Sequence, residues 1–146
     1  MIAKGGRQLD RSAMHLLHRA GQCATDIFLV EARLSGLTPR QFAVLTTIAE
    51  EEGLTQTELV ERTGIDRSTL ADIVARLLGR GLIQRRRAKE DARAYAIKLT
   101  AQGWKSLRDA EPGAVSADSR LLAVLPPAKR QDFLESLNLI VDTIRK

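Results

Sequence analysis

"LTQTELVERTGIDRSTLADIVARLLGRG", residues 54–81, carries a start or stop signal at every helix end. Thr55 and Glu58 have the spacing of a capping box, in which a hydroxyl and a carboxylate each satisfy a free amide at a helix start. The helix they open is short, turns Leu59 and Val60 inward and stops at Thr63-Gly64. Asp66 caps a second helix with an inward stripe of Leu70, Ile73, Val74, Leu77 and Leu78, and Gly81 supplies the left-handed residue past its end. Two helices joined by about four residues that include a glycine make a helix-turn-helix.

On the C-terminal side, two short strands at 82–86 and 95–99 flank a charged loop. Arg85, Arg86, Arg87, Lys89 and Arg93 put five cations into nine positions there. Thr100 caps a further helix over "AQGWKSLRDAE", with Trp104 as a core anchor, and a break is expected around Pro112 to Ala117. The last helix places Phe133, Leu137, Ile140, Val141 and Ile144 on one face. On the N-terminal side, Thr38 and Pro39 open a helix with Phe42, Leu45 and Ile48 inward. Before it, Ala13, Leu16, Leu17, Ala20, Ala24, Ile27 and Phe28 predict one long amphipathic helix from Asp10 to about Ser35. The pattern predicts a mainly α fold with a small β-hairpin. A winged helix-turn-helix at 37–111 lies between dimerisation helices at 1–36 and 112–146.

Composition narrows the partner. The chain has 146 residues and a net charge of +5, but residues 55–100 hold ten cations and six acids while both flanks are near neutral. One basic surface between neutral flanks favours a polyanion. No apolar run approaches a membrane span, and the N-terminus has no apolar leader segment, so a cytoplasmic location is expected. A lone cysteine, Cys23, excludes an intrachain disulfide framework and is expected to be buried and inert. No phosphate loop, nucleophile elbow or zinc-protease motif is present, so neither catalysis nor a cofactor is expected. His15 and His18 could begin a metal site, but no third ligand stands at a suitable spacing, and none is expected.

At 100° per residue the face of the second helix opposite its core stripe shows Ser68, Thr69, Asp72, Ala75, Arg76 and Gly79, with Arg67 at the amino end. Small and hydrogen-bonding side chains suit a helix in a DNA major groove about 12 Å wide. Arg67 and Ser68 occupy the first turn, where base edges are read, and Arg76 and Arg80 are placed for phosphates. A wing beside such a helix reaches towards the minor groove. Arg93 at its apex is the candidate for insertion, and Arg85, Arg86, Arg87 and Lys89 are candidates for backbone oxygens. Asp91 pairs with a wing arginine and shapes the loop on this reading. Simple solvation of the arginine loop is the plainer alternative, as is an intramolecular role for the terminal stripes.

"GLTPRQFAVL", "TQTELVERTGIDRSTLADIVARLLGRGLIQRR", the D-A-R of the wing and "LTAQG" together resemble the multiple antibiotic resistance regulator (MarR) family, over residues 10–146 in order of elements and most specifically over 54–103. The resemblance implies a homodimer joined through its terminal helices and bound to a pseudo-palindromic duplex. It implies a minor-groove role for Arg93, with Asp91 two residues before it. It also implies a repressor released by a small molecule seated between the dimerisation and DNA-binding regions. His15, His18, Arg19, Gln22, Arg40 and Phe42 are candidates for that seat, with an aromatic carboxylate, a phenol or an aromatic acyl-CoA as effector. Packing at the surface or interface is their plainer role. A constitutive architectural DNA-binding protein without effector response is the alternative function. Cys23 lies well past the position of the reactive cysteine in the peroxide-sensing branch, and the tyrosines around that thiolate are missing.

Overall fold

The ends of the helices are set by the side chains that cap them. The computed structural model describes residues 7–87 and 94–145. A 3-10 turn (Gln8–Arg11) precedes α1 (Ala13–Glu31), and a second 3-10 turn (Arg33–Ser35) follows it. Then come α2 (Pro39–Glu50), α3 (Gln56–Thr63), α4 (Arg67–Gly79), β1 (Ile83–Arg87), β2 (Tyr95–Leu99), α5 (Ala101–Leu122) and α6 (Pro127–Ile144). The long first helix expected from 10 to 35 is therefore three pieces. Ser12 caps α1 by accepting from the His15 amide at 3.2 Å, and Asp10 belongs to the preceding turn, where it accepts from the Arg7 amide at 3.1 Å. Reciprocal boxes open α2 (Thr38 with Gln41) and α3 (Thr55 with Glu58). Each such cap contributes about 1 kcal/mol.

The inward stripes of α2, α3, α4 and α5 meet the strands in one core. Val44, Leu45, Ile48, Leu59, Leu70, Val74, Leu77, Ile97 and Leu107 are fully buried, and Trp104 packs half-buried against it. At about 1.5–3 kcal/mol per buried side chain, this cluster holds the helix-turn-helix and the hairpin base as one unit. A second, smaller cluster of Phe28, Ala32 and Ala117 joins α1 to α5. Phe42 of α2 packs against both clusters, its ring centroid 5.6 Å from that of Phe28 and tilted by 50°.

The hairpin is antiparallel, with Ile83 opposite Leu99, Arg85 opposite Ile97 and Arg87 opposite Tyr95. Leu54 forms an isolated bridge to Ile97, whose amide donates to the Leu54 carbonyl at 2.9 Å. Four elements converge at the hairpin base. The Leu82 amide donates to the Leu77 carbonyl of α4 at 3.0 Å, and the Thr100 amide donates to the Leu82 carbonyl at 3.1 Å. The Thr100 hydroxyl donates to the Gly81 carbonyl at 2.6 Å and accepts from the Gly103 amide at 3.0 Å. Gly103 has no room for a side chain, because a Cβ there would lie 1.9 Å from the Leu82 carbonyl oxygen. The "LT-x-x-G" pattern is thus the joint that locks wing to helix.

The break expected at 112–117 does not occur, since α5 runs unbroken from Ala101 to Leu122 with Pro112 inside it. Proline removes one amide and crowds the preceding turn. Pro112 lies on the exposed side of α5, while its neighbour Gly113 is pressed against the end of α1, where an added Cβ would meet the Glu31 carbonyl oxygen at 2.6 Å. Tertiary packing holds the helix through a residue that would end an isolated one. A domain limit at 111/112 consequently falls inside a continuous helix.

The outer helices leave apolar surface uncovered within one chain. No residue of α6 is buried, and Ile140, Val141 and Ile144 are 46%, 56% and 76% exposed. On α1 only Phe28 is buried, while Met14, Leu16, Leu17, Leu29 and Val30 are exposed. Cys23 shares that exposure, contrary to the expected buried position, because the packing of α1 on α2 and α5 centres on Phe28, more than a turn beyond it.

Candidate nucleic-acid interface

The outward face of α4 is built by its N-cap. The Asp66 carboxylate accepts from the Thr69 amide and from the Ser68 hydroxyl, both at 3.1 Å. Thr69, through its hydroxyl and its amide, is the main cause of an Asp66 pKa lowered to about 2, with Ser68 adding to it. Ser68 therefore has its proton committed to Asp66 and offers lone pairs outward. That suits an exocyclic amino donor of a base. Arg67 is exposed and has no ion pair among the described residues. Thr69 is half-buried.

Further along the same face, Arg76 Nε donates to Asp72 at 2.9 Å, one turn away. Both side chains are more than 60% exposed, so the pair contributes about 0.3–0.5 kcal/mol to the helix. Its consequence is geometric, because it holds the Arg76 guanidinium along α4. Arg80, expected on phosphates, instead donates from Nη1 to the Gly36 carbonyl at 3.0 Å. It ties the end of α4 to the turn before α2.

The strand alternation splits the wing arginines. Arg85 and Arg87 share the face of Ile83, Tyr95, Ile97 and Leu99, whereas Arg86 stands opposite Ala96 on the other. All three are exposed. The guanidinium carbons of Arg85 and Arg87 lie 5.5 and 5.9 Å from the centroid of the Tyr95 ring. Sequence reasoning left Tyr95 without a role. The two-residue period that places 85, 87 and 95 together was the available signal. Lys89, Asp91 and Arg93 lie outside the described residues.

The candidate effector residues stand on two helices, α1 and α2. His15 is half-buried, and His18, Arg19 and Gln22 are exposed along α1; Arg40 is exposed on α2, and Phe42 is packed inward. A cavity of about 170 Å³ does open at the joint of α1, α2 and α5, lined by Ala24, Thr25, Phe28, Pro39, Ala117, Asp118 and Leu121. Sequence reasoning gave no sign of this cavity, because three helices distant in the chain contribute to it.

Residues 35–94 match a family model described as the MarR family. The chain is 33% identical over 135 residues to the transcriptional regulator HosA of Escherichia coli O127:H6, covering 92% of this chain and 98% of that one. Among solved structures it resembles the transcriptional repressor CouR bound to a 23-mer DNA duplex, with a TM-score of 0.84 and 30% identity over 97% of this chain and 99% of that one. It also resembles BpsR of Bordetella bronchiseptica, whose DNA binding is described as regulated by 6-hydroxynicotinic acid. There the TM-score is 0.86 and the identity 28%, over 94% of this chain and 99% of the other.

Proposed function

The chain belongs to the MarR family of DNA-binding transcription regulators, and from that premise we propose that it is a homodimeric repressor released from its operator by a small aromatic acid. One observation carries the DNA-binding part. The exposed face of α4 presents Arg67, Ser68 and Arg76, and the same helix is hydrogen-bonded through Leu77 and Leu82 into a wing bearing Arg85, Arg86 and Arg87. Reading helix and cationic wing move as one body, so a duplex that seats the helix also meets the wing. The uncovered apolar faces of α1 and α6 supply the dimer surface. Two copies then place their α4 helices in successive major grooves, about 10 base pairs apart on a pseudo-palindrome. The protein works by binding rather than by catalysis, in the cytoplasm. No helix among the described residues is long and apolar enough to cross a membrane.

The effector reading rests on the cavity at the joint of α1, α2 and α5. At about 170 Å³ it is smaller than the usual range of about 300–1,000 Å³ for ligand sites, so its size favours a single-ring ligand over an acyl-CoA. It lies where α1 and α5 meet the helix-turn-helix, so an occupant that spreads the joint favours a spacing of recognition helices that no longer fits the operator.

The test is anisotropy of a labelled duplex taken from the DNA beside the gene, titrated at several salt concentrations with random DNA as competitor. Specific binding that weakens by about 10³-fold between 50 and 200 mM salt is expected if six or more phosphates are engaged. Equal competition by random DNA would indicate an architectural protein, and affinity indifferent to salt would overturn DNA binding altogether.

A further inference from the structure

We propose that Asp72 is a positioning residue that directs Arg76 away from the DNA backbone and onto one guanine in each half-site. The proposal rests on the DNA-binding reading above. Ser68, Asp72 and Arg76 stand four residues apart and form one ridge along the outward face of α4. Beside it run Arg67, Ala71, Ala75 and Gly79, a row that carries nothing larger than a methyl group after its first member. The side chains of both rows are exposed. A helix so bare on one side can sit close to base edges, with Arg76 as the long side chain of the face beyond the first turn.

The direction in which Arg76 is held decides what it meets. An arginine this far along a recognition helix otherwise reaches the phosphates that border the groove. Here its Nε donates to Asp72 at 2.9 Å. Asp72 lies about 6 Å nearer the amino end of α4, which is the end that meets base edges in a helix-turn-helix. The guanidinium is therefore drawn along the ridge towards Ser68 and away from the groove's rim. Bonding through Nε leaves Nη1 and Nη2 without a partner among the described residues. Their N–H groups form a fork that matches O6 and N7 of guanine. Adenine presents a donor where guanine has O6, and neither pyrimidine has N7, so the fork discriminates. In water this exposed pair is weak. Beside a duplex it is favoured more strongly, because an uncompensated carboxylate would face the phosphates.

The experiment uses a duplex selected from random DNA by the full chain, in which each guanine of a half-site is replaced in turn by 7-deazaguanine, which lacks the N7 acceptor. Thermal unfolding is the control for folding. At one position per half-site the parent loses about 5- to 30-fold in affinity, and Arg76→Ala shows no further loss there. At that position the parent prefers guanine by about 5- to 150-fold, while Arg76→Ala and Arg76→Lys accept all four bases within about threefold. Asp72→Ala frees the arginine for phosphates. The guanine preference falls, affinity for random duplex rises about fivefold, and the log–log salt slope steepens by about one. Asp72→Glu, which still pairs with the arginine four residues on, keeps the preference. A uniform loss across all bases in Arg76→Ala, with a slope shallower by about one, would make Arg76 a phosphate ligand and overturn the proposal. So would a full guanine preference in Asp72→Ala, which would leave the pair as a helix brace only. The lack of any 7-deazaguanine position at which Arg76→Ala is indifferent would overturn it as well. Salt-dependent binding from which selection enriches no sequence would place the failure in the reading of a specific operator and take the guanine contact with it.

Discussion

Gly103→Ala sets two effects of opposite sign against each other. Alanine is the better helix former, so propensity alone would stabilise α5 by up to about 1 kcal/mol. The new Cβ, however, would stand 1.9 Å from the Leu82 carbonyl oxygen and 3.0 Å from its carbon. The carbonyl would have to retreat by at least about 1 Å to reach a tolerated contact. It is not free to do so, since it accepts from the Thr100 amide at 3.1 Å and belongs to a residue only 2% exposed. Losing that hydrogen bond costs about 1 kcal/mol, and overpacking a core costs about 1–3 kcal/mol. The net expectation is a loss of about 1–3 kcal/mol, or a Tm lower by about 3–10 °C for a domain of this size. Thermal unfolding followed by circular dichroism, at one fixed protein concentration because assembly shifts Tm, measures it. A Tm equal to or above the parent's would refute the joint described for wing and helix.

Two further outcomes follow from particular contacts. The folded chain holds Asp66 at about 2, below the ordinary carboxylate value, so the unfolded chain takes up the proton first as pH falls. The stabilisation is whole above about pH 4 and is lost on the way down to about pH 2. Asp66→Asn, which keeps a competent cap but cannot titrate, should therefore show a shallower acid limb than the parent; identical acid limbs would show that the carboxylate is not held as described. Ile140→Lys places a charge in the uncovered stripe of α6 and should weaken dimerisation by about 3 kcal/mol or more, roughly 100-fold. Sedimentation equilibrium reads this directly, and an undiminished dimer would exclude that part of α6 from the interface.

Local chemistry was legible in the sequence wherever a signal and its partner lie within a few residues. The capping boxes at Thr38 and Thr55, the Asp66 cap and the α4 stripe needed only neighbours three or four positions away, which is why the helix-turn-helix could be read before any coordinates. The same locality explains the misreadings. Pro112 carries a stop signal that packing against α1 overrides. Arg80 looked like a phosphate ligand until Gly36, far off in the chain, came within reach of it. Cys23 sits on a helix whose apolar face looks buried in projection and is uncovered in one chain.

By itself, then, the sequence determined the order of elements, their caps, the inward faces and the concentration of positive charge in the middle third, because each depends on backbone preference and short-range periodicity. Tertiary structure alone decided which side chains share a place: Leu54 with Ile97, Leu82 with Gly103, and Thr55 to Thr57 with the wing. Those encounters depend on how elements cross after the core has closed. Pairs distant along the chain leave no periodic trace in one sequence.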